Sequence, residues 1–344
     1  MSAMRLLSFI YEKVTDLRNT LYDRGVFHTA SLNARVISIG NLTTGGTGKT
    51  PLTALVANSL SAHGSPVCIL TRGYGRKESR KRVLVSDGKN ALADADAGGD
   101  EPVELARNLQ ERAIVIADAD RLSAGEWAVR RFGTAVFVLD DGFQHRKLKR
   151  DLDIVCIDAT DPFGGGELLP AGRLREPLKG LQRADIAMIT RADLVRHIDT
   201  IKADLLEINP KLDIFTCRTR IKRLIGSNDA ANNGEQLAAV HEGRSYAFCG
   251  IGNPESFFEL LRRGGYTLAD TQIFKDHHRF TEDDIERIAD EARLSGASAL
   301  LTTAKDAERL RHFELPLPCF VVETEIEIDR CDDFVEMLRS KGRF

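Results

Sequence analysis

Val36-Ile37-Ser38-Ile39-Gly40-Asn41 leads directly towards Thr44-Gly45-Gly46-Thr47-Gly48-Lys49-Thr50-Pro51. An apolar strand, a glycine-rich turn and a helix-like segment in that order form a loop suited to nucleotide phosphates. Three glycines let backbone N–H groups crowd towards an anion without Cβ clashes. Lys49 can reach the outer phosphates, and the Thr50 hydroxyl suits a magnesium ligand. A helix starting near Lys49 adds its positive dipole end and its unsatisfied N–H groups. Thr43 stands where the G-x-x-x-x-G-K-[ST] pattern has its first glycine. The segment therefore fits the G-G-x-G-K-T variant, which often carries a lysine where this chain has Thr44. A turn that bound nothing would have no need of the Lys-Thr pair. The expectation is a nucleoside triphosphate held by Thr43, Thr44, Gly45, Gly46, Thr47, Gly48, Lys49 and Thr50.

Working outward, short apolar runs at 35–39, 67–70, 113–117, 135–139, 153–157 and 185–189 alternate with helical patterns. Strands buried on both faces and separated by helices predict a mostly parallel sheet under helical cover, an α/β fold. The pattern degrades between 210 and 243, where a strand-like run at 214–221 precedes the polar stretch 227–234, expected to be a loop. Alternation resumes at 246–250, 299–303 and 318–322. This divides the chain into an N-terminal segment 1–30, a nucleotide core 31–213, a linker 214–245 and a smaller α/β domain 246–344. Gly250-Ile251-Gly252-Asn253-Pro254 reads as a tight strand–helix turn rather than a second phosphate loop.

A chain of 344 residues, 29% charged with a net charge of −3, is an ordinary globular composition and no whole-surface polyanion binder. Aromatic residues make up 6%, and no stacking platform for single-stranded nucleic acid is visible, so no nucleic-acid partner is expected. No apolar run has the length of a membrane span. The six cysteines form no C-x-x-C pair and sit mostly in strand-like runs, which predicts buried thiols in a reducing compartment, without disulfides or zinc. Leu6, Leu7, Ile10, Val14, Leu17 and Leu21 recur at helical spacing among Arg5, Lys13, Arg18 and Arg24. Such a helix either lies in a membrane interface or packs on its own domain, and periodicity alone leans to the second.

Asp140-Asp141-Gly142-Phe143-Gln144-His145 closes the run at 135–139. Carboxylates at the carboxyl end of a parallel strand sit beside the ligands of such sheets, and one can orient magnesium or its waters. Neighbouring residues on a strand end cannot point the same way, so the two should differ in role. Gly98-Gly99-Asp100-Glu101-Pro102 opens a helix; acidic residues and proline suit a first turn, and flexible glycines could equally deliver a carboxylate to a site. His277 and His278 lie in Lys275-Asp276-His277-His278-Arg279-Phe280, either as polar surface or on a closing lid. The basic runs around 72–82 and 146–150 are either solvated surface or the rim of an anion site.

Together these segments resemble the tetraacyldisaccharide 4′-kinase family, the lipid A 4′-kinases. The matching pieces, in order, are I-G-N-L-T-T-G-G-T-G-K-T-P, T-R-G-Y-G at 71–75, G-D-E-P, D-D-G-F-Q-H, L-L-P-A-G-R-L-R-E-P at 168–177, F-K-D-H-H-R-F and L-T-T-A-K-D at 301–306. They span nearly the whole chain, and their order makes the resemblance specific. It implies transfer of the ATP γ-phosphate, with Mg2+, to the 4′-hydroxyl of a tetraacylated disaccharide 1-phosphate. It also implies a P-loop NTPase core, a two-stranded linker and a C-terminal lid. The N-terminal helix would then touch the membrane surface, at the cytoplasmic face of the inner membrane of a Gram-negative bacterium, which reverses the leaning from periodicity. No obligate protein partner is implied. By the same carry-over Asp100 is the candidate base, partnered by His277 when the lid closes. Thr50, Glu101, Asp140 and Asp141 would organise magnesium and phosphates, and Gln144 and His145 would line the site. Tyr74, Arg121, Arg175 and Glu176 are candidates for the acceptor side. Ala304 departs from the acidic residue usual in the T-T-x-K-D segment, so the family's role for that position does not carry over. Two other readings remain open at this level. One is a P-loop GTPase or metallochaperone, although Thr190-Arg191-Ala192-Asp193 lacks the asparagine and lysine of a guanine-reading N-K-x-D. The other is a membrane-bound nucleotide switch with no acceptor.

Overall fold

A computed structural model of the chain describes residues 3–62, 66–226, 240, 243–276, 278–315 and 317–340. His277 and the stretch 227–234 lie outside the described residues. The chain runs α1 (Ala3–Asp23), β1 (Arg35–Asn41), α2 (Lys49–Ser61), β2 (Val67–Thr71), β3 (Val83–Asp87), α3 (Ala95–Gly98), α4 (Asp100–Asn108) and β4 (Ala113–Ala117). It continues through α5 (Arg121–Phe132), β5 (Val136–Asp140), β6 (Leu152–Asp158), β7 (Ile186–Thr190), α6 (Ile198–Ile208) and β8 (Asp213–Gly226). Then follow β9 (Arg244–Cys249), α7 (Pro254–Arg263), β10 (Thr267–Ile273), α8 (Glu282–Leu294), β11 (Ala299–Thr303), α9 (Ala304–Leu310), β12 (Cys319–Ile328) and α10 (Cys331–Ser340).

Two compact units result: 1–218 with 326–344, and 219–325. In the first, strands lie in the order β8-β7-β6-β1-β5-β2-β4-β3. All neighbours pair in parallel except β3, which runs antiparallel on β4. Every residue of β1, β2, β4, β5, β6 and β7 is buried. Strands covered on both faces need continuous apolar runs, which is why their sequences do not alternate. β1 lies between β5 and β6, and Ile39 pairs with Asp140, so the chain leaving β1 emerges level with the acidic end of β5.

In the second unit β10-β9-β11-β12 is again parallel. Two strands escape the sequence pattern. β3 follows a basic run and pairs with one neighbour at a sheet edge, while β10, Thr-Leu-Ala-Asp-Thr-Gln-Ile, is an edge strand with no fully buried residue. Edge strands with one wet side carry the weakest apolar signal.

The division falls elsewhere than the sequence boundaries of 214 and 246. The chain leaves the first unit within β8 and returns within β12, so the second unit is an insertion rather than a C-terminal domain. The returning α10 places Phe334 and Leu338, both 0% exposed, in one core with Ile37 and Phe215. Phe334 meets Phe215 edge to face, with ring centroids 5.3 Å apart. The Arg35 guanidinium donates to the Leu338 carbonyl, a basic group at a helix C-terminus.

α1 packs the other way round from most amphipathic helices. Its buried residues are Thr15 and Asn19, whereas Leu6, Leu7, Phe9, Ile10, Val14 and Leu17 are each about half exposed. Five cysteines are buried and Cys331 is exposed.

Phe334→Ala should destabilise the first unit by about 3–5 kcal/mol, the usual cost of truncating a buried aromatic. Urea unfolding of the full chain checks this; an unchanged midpoint would mean that α10 is not part of that core.

Candidate active site

The phosphate loop is held from outside itself. Thr190 at the end of β7 donates its hydroxyl to the Thr47 carbonyl at 3.0 Å, and Arg191 donates to the Gly46 carbonyl at 2.7 Å. Arg173 donates to the Thr44 carbonyl at 2.8 Å and accepts from the Thr44 N–H at 2.8 Å. Asn41 donates from its side chain to the Thr47 hydroxyl at 2.9 Å. Fixing three carbonyls fixes their peptide planes, and the N–H groups on the opposite edges are the ones a phosphate takes. Gly48 caps α2 with φ of 79°, a left-handed conformation that favours glycine, and offers the helix no side-chain cap. Lys49 and Thr50 thus open a helix whose dipole favours an anion.

Sequence reasoning missed Arg173, Thr190 and Arg191 as loop supports. In the sequence Thr190 and Arg191 stand out only as a degraded guanine motif. Arg191 is in fact engaged by Asp158 as well as by Gly46, and Arg173 pairs with Asp161 at 2.7 Å.

Across from the loop, Asp140 and Asp141 part company as neighbouring residues must. Asp140 ends β5, 1% exposed, and accepts from the Thr53 hydroxyl of α2 at 3.1 Å. Burial, with Glu101 and Asp141 nearby, pushes its carboxyl up to about 6, against the pull of Lys49. Asp141 leaves the strand at φ of 52°. Its carboxylate lies 3.7 Å from the Lys49 ammonium and accepts from Arg175 at 2.8 and 2.9 Å. Burial would raise its pKa, but Lys49 and Arg175 together hold it below the ordinary carboxylate range.

Arg121 opens α5 at 5% exposure, and burial lowers its pKa while Asp141 counteracts this. His145 is pushed down to about 4 by burial and by Arg121, so its imidazole is neutral at pH 7. Asp100 and Glu101 are the first two residues of α4. Gly99 before them has φ of 92°, and a Cβ there would stand 2.8 Å from the Tyr74 carbonyl. The R-G-Y-G and G-D-E-P segments are therefore pressed together, which explains the paired glycines. Tyr74 is half exposed and its hydroxyl accepts from Arg72 at 3.0 Å.

Three residues expected in or around the site have other partners. Glu176, an acceptor-side candidate, is 1% exposed and turned inward, accepting from Asn19 at 3.2 Å, Gln144 at 2.8 Å and Arg183 at 2.6 Å. A buried carboxylate needs such donors, and they point it into the protein. Gln144, expected to line the site, spends its amide on Glu176 and on the Asn41 carbonyl at 2.8 Å. Arg175, another acceptor-side candidate, grips Asp141.

In the second unit, Asn253 caps α7 after the Gly250–Pro254 turn, as a tight strand–helix connection requires. Asp306 is fully buried, accepting from the Gly250 N–H at 3.0 Å and pairing with Arg309 at 3.1 Å. His278 meets Asp284 at 2.8 Å and stacks on Phe274. The aspartate of L-T-T-A-K-D and the second histidine of F-K-D-H-H-R-F thus hold this unit together, and Ala304 merely starts α9.

These features can be set beside known proteins. The family model described as tetraacyldisaccharide-1-P 4′-kinase, LpxK, matches residues 1–343. The tetraacyldisaccharide 4′-kinase of Geobacter metallireducens is 40% identical over 312 residues, covering 90% of this chain and 88% of its own. That of Halothermothrix orenii is 35% identical, covering 97% and 91%. The crystal structure of LpxK from Aquifex aeolicus in complex with ATP superposes with a TM-score of 0.75 at 32% identity, covering 98% of both chains. Phosphate loop, acidic strand end and full-length similarity agree, and the chain belongs to the tetraacyldisaccharide-1-phosphate 4′-kinase family.

Proposed function

We propose that the chain transfers the γ-phosphate of ATP to the 4′-hydroxyl of a tetraacyldisaccharide 1-phosphate, as its family membership implies. The observation that carries this reading is the braced loop and Lys49 facing the Asp140–Asp141 pair. Phosphoryl transfer needs positioning and charge neutralisation more than covalent chemistry. The loop N–H groups and Lys49 neutralise phosphate charge, and Arg121 and Arg175 add cations beside Asp141. Asp100, at the start of α4, is the candidate base for the sugar hydroxyl, with His277 as its functional partner by family resemblance. The GTPase reading is set aside, because Arg191 serves the loop instead of a guanine.

Mg2+ fits the residues present, since burial leaves Asp140 beside Glu101 and Asp141 with more negative charge than Lys49 offsets. Thr50, Glu101, Asp140 and Asp141 would hold it, and it would supply further charge neutralisation on the phosphates. Among the described residues no three acidic, histidine or cysteine side chains already stand at metal-binding spacing. The ion's remaining ligands would therefore be phosphate oxygens and water, as is common for magnesium.

No described helix is long and apolar enough to cross a membrane. The exposed apolar face of α1, flanked by Arg5 and Lys13, supports surface attachment to an anionic bilayer, where a lipid substrate would reside. The Gram-negative inner membrane is the setting this reading implies.

Three measurements test this. In an assay of labelled phosphate transfer from ATP to a lipid A disaccharide 1-phosphate, Lys49→Ala should lose most activity while remaining folded. In the same assay Asp100→Ala and His277→Ala should each lower kcat by roughly 10²–10⁴-fold, with the double variant scarcely worse than the poorer single one. Normal turnover in Lys49→Ala would sink the phosphate-loop assignment, and multiplicative losses would separate Asp100 from His277.

Asp140→Asn should abolish transfer yet stabilise the fold above pH 6. The wild-type carboxyl titrates at about 6 when folded, above its unfolded value, so its cost is absent near pH 4, grows as pH rises and is complete above 6. The gap corresponds to up to about 3 kcal/mol. Thermal melts at pH 4 and pH 7.5 read it, and Mg2+ with nucleotide should raise Tm more in wild type than in the variant. A variant less stable at both pH values would contradict the assigned charge burden.

Ile10→Ser combined with Val14→Ser should leave Tm unchanged and reduce sedimentation with phosphatidylglycerol vesicles. Wild-type binding should weaken as salt rises, and equal sedimentation of both proteins would remove α1 from the interface.

A further inference from the structure

We infer that α1 is a positioning element for the reaction as well as an anchor, with Tyr11 and Asn19 as its positioning residues; this rests on the kinase reading above. The polar face of α1 carries Ser8, Tyr11, Thr15 and Asn19, at helical spacing and opposite the exposed apolar stripe. Its long-range hydrogen bonds end on Gln144 and on the segment 168–176, which carries Arg175 and Glu176. The Ser8 hydroxyl donates to the Leu168 carbonyl at 2.9 Å and accepts from the Ala171 N–H at 2.9 Å. The Tyr11 hydroxyl donates to the Arg175 carbonyl at 2.8 Å. The Asn19 amide donates to the Glu176 carboxylate at 3.2 Å in a buried contact.

From these points two short chains of bonds reach the site. Tyr11 holds the backbone of Arg175, whose N–H donates to the Leu42 carbonyl at 2.7 Å and whose guanidinium grips Asp141, the partner of Lys49. Asn19 holds Glu176, which accepts from Gln144; that same amide donates to the Asn41 carbonyl at the root of the phosphate loop. Arg18 adds a bond of 2.7 Å to the Gln144 carbonyl, and Arg146 returns one of 3.0 Å to the Asn19 carbonyl. A helix serving only as an anchor would need none of its contacts to end on the backbone of the residue that clamps Asp141 or on the carboxylate that holds the Gln144 amide. Glu176 is the junction. Its charge is buried, so each donor lost leaves the remaining ones to reorganise around it, and one of them, the Gln144 amide, is also bonded to the Asn41 carbonyl at the root of the loop.

The experiment uses the full-length protein with lipid substrate in mixed micelles and, separately, sedimentation with phosphatidylglycerol vesicles. Asn19→Ala should lower kcat roughly 10-fold, and Tyr11→Phe about 3-fold, the scale of a lost bond to a charged and to a neutral group. KM for ATP and vesicle sedimentation should stay at wild-type values. In a Glu176→Gln background, Asn19→Ala should add less than about twofold, because groups acting as a unit are non-additive. If Asn19→Ala fails to fold, Tyr11→Phe removes only one half-buried hydroxyl and carries the test through a lowered kcat at unchanged KM for ATP. Unchanged kcat in a folded Tyr11→Phe would overturn the proposal. So would a loss in Asn19→Ala that follows vesicle sedimentation, which would make α1 an anchor only. Wild-type turnover, measured first, separates failure of the kinase reading from failure of this one.

Discussion

Negative charge gathered at the carboxyl end of β5 is the constraint around which the first unit is arranged. Asp140 is buried beside Asp141 and Glu101, and three carboxylates this close cannot all ionise cheaply in a water-poor site. The chain separates their roles by geometry. Asp140 ends β5 and is bonded to Thr53 of α2, and a left-handed turn sends Asp141 towards Lys49 and Arg175. The result is one carboxyl raised and one lowered within a single peptide unit. That imbalance suits the cation and polyanion proposed for the site. Parallel pairing of β1 with β5 makes it possible, because it brings the phosphate loop and the acidic turn out of the same edge.

A glycine-rich loop is soft, and its own sequence does not fix its peptide planes. Here the stiffness comes from Thr190, Arg191 and Arg173, more than a hundred residues away in the chain. Arg191 and Arg173 are themselves held by Asp158 and Asp161. The entropy lost in ordering the loop is thus met on folding rather than when a nucleotide arrives, which is what preorganisation means in energetic terms.

How far the sequence reveals this depends on whether a signal is local. The phosphate loop and the twice-covered strands are local, since glycine spacing and unbroken apolar runs state their own requirements. β3 and β10 are edge strands with a wet side and leave a faint pattern. The return of α10 is invisible, because an amphipathic helix looks the same whichever unit it covers. Periodicity finds the apolar stripe of α1 but says nothing of the medium facing it; only the burial of Thr15 and Asn19 shows that the helix rests on its polar side. Glu176 and Arg175 read alike as charges near a site. Their burial and partners, which tertiary structure alone supplies, separate an inward brace from a clamp on Asp141.

The late return of α10 bears on how the protein is made. Phe334 and Leu338 complete the core that holds Ile37 and Phe215, yet the ribosome reaches them only after building the whole inserted unit. Until synthesis passes position 338, the nucleotide-binding sheet waits with an apolar trough open to the cytosol. The inserted unit's strands pair among neighbours in sequence and can mature first. A pause or premature stop within 219–325 would therefore yield a half-closed intermediate that displays its interior, a natural client for chaperones and proteases. Quality control of this enzyme would then act chiefly on whether α10 has arrived.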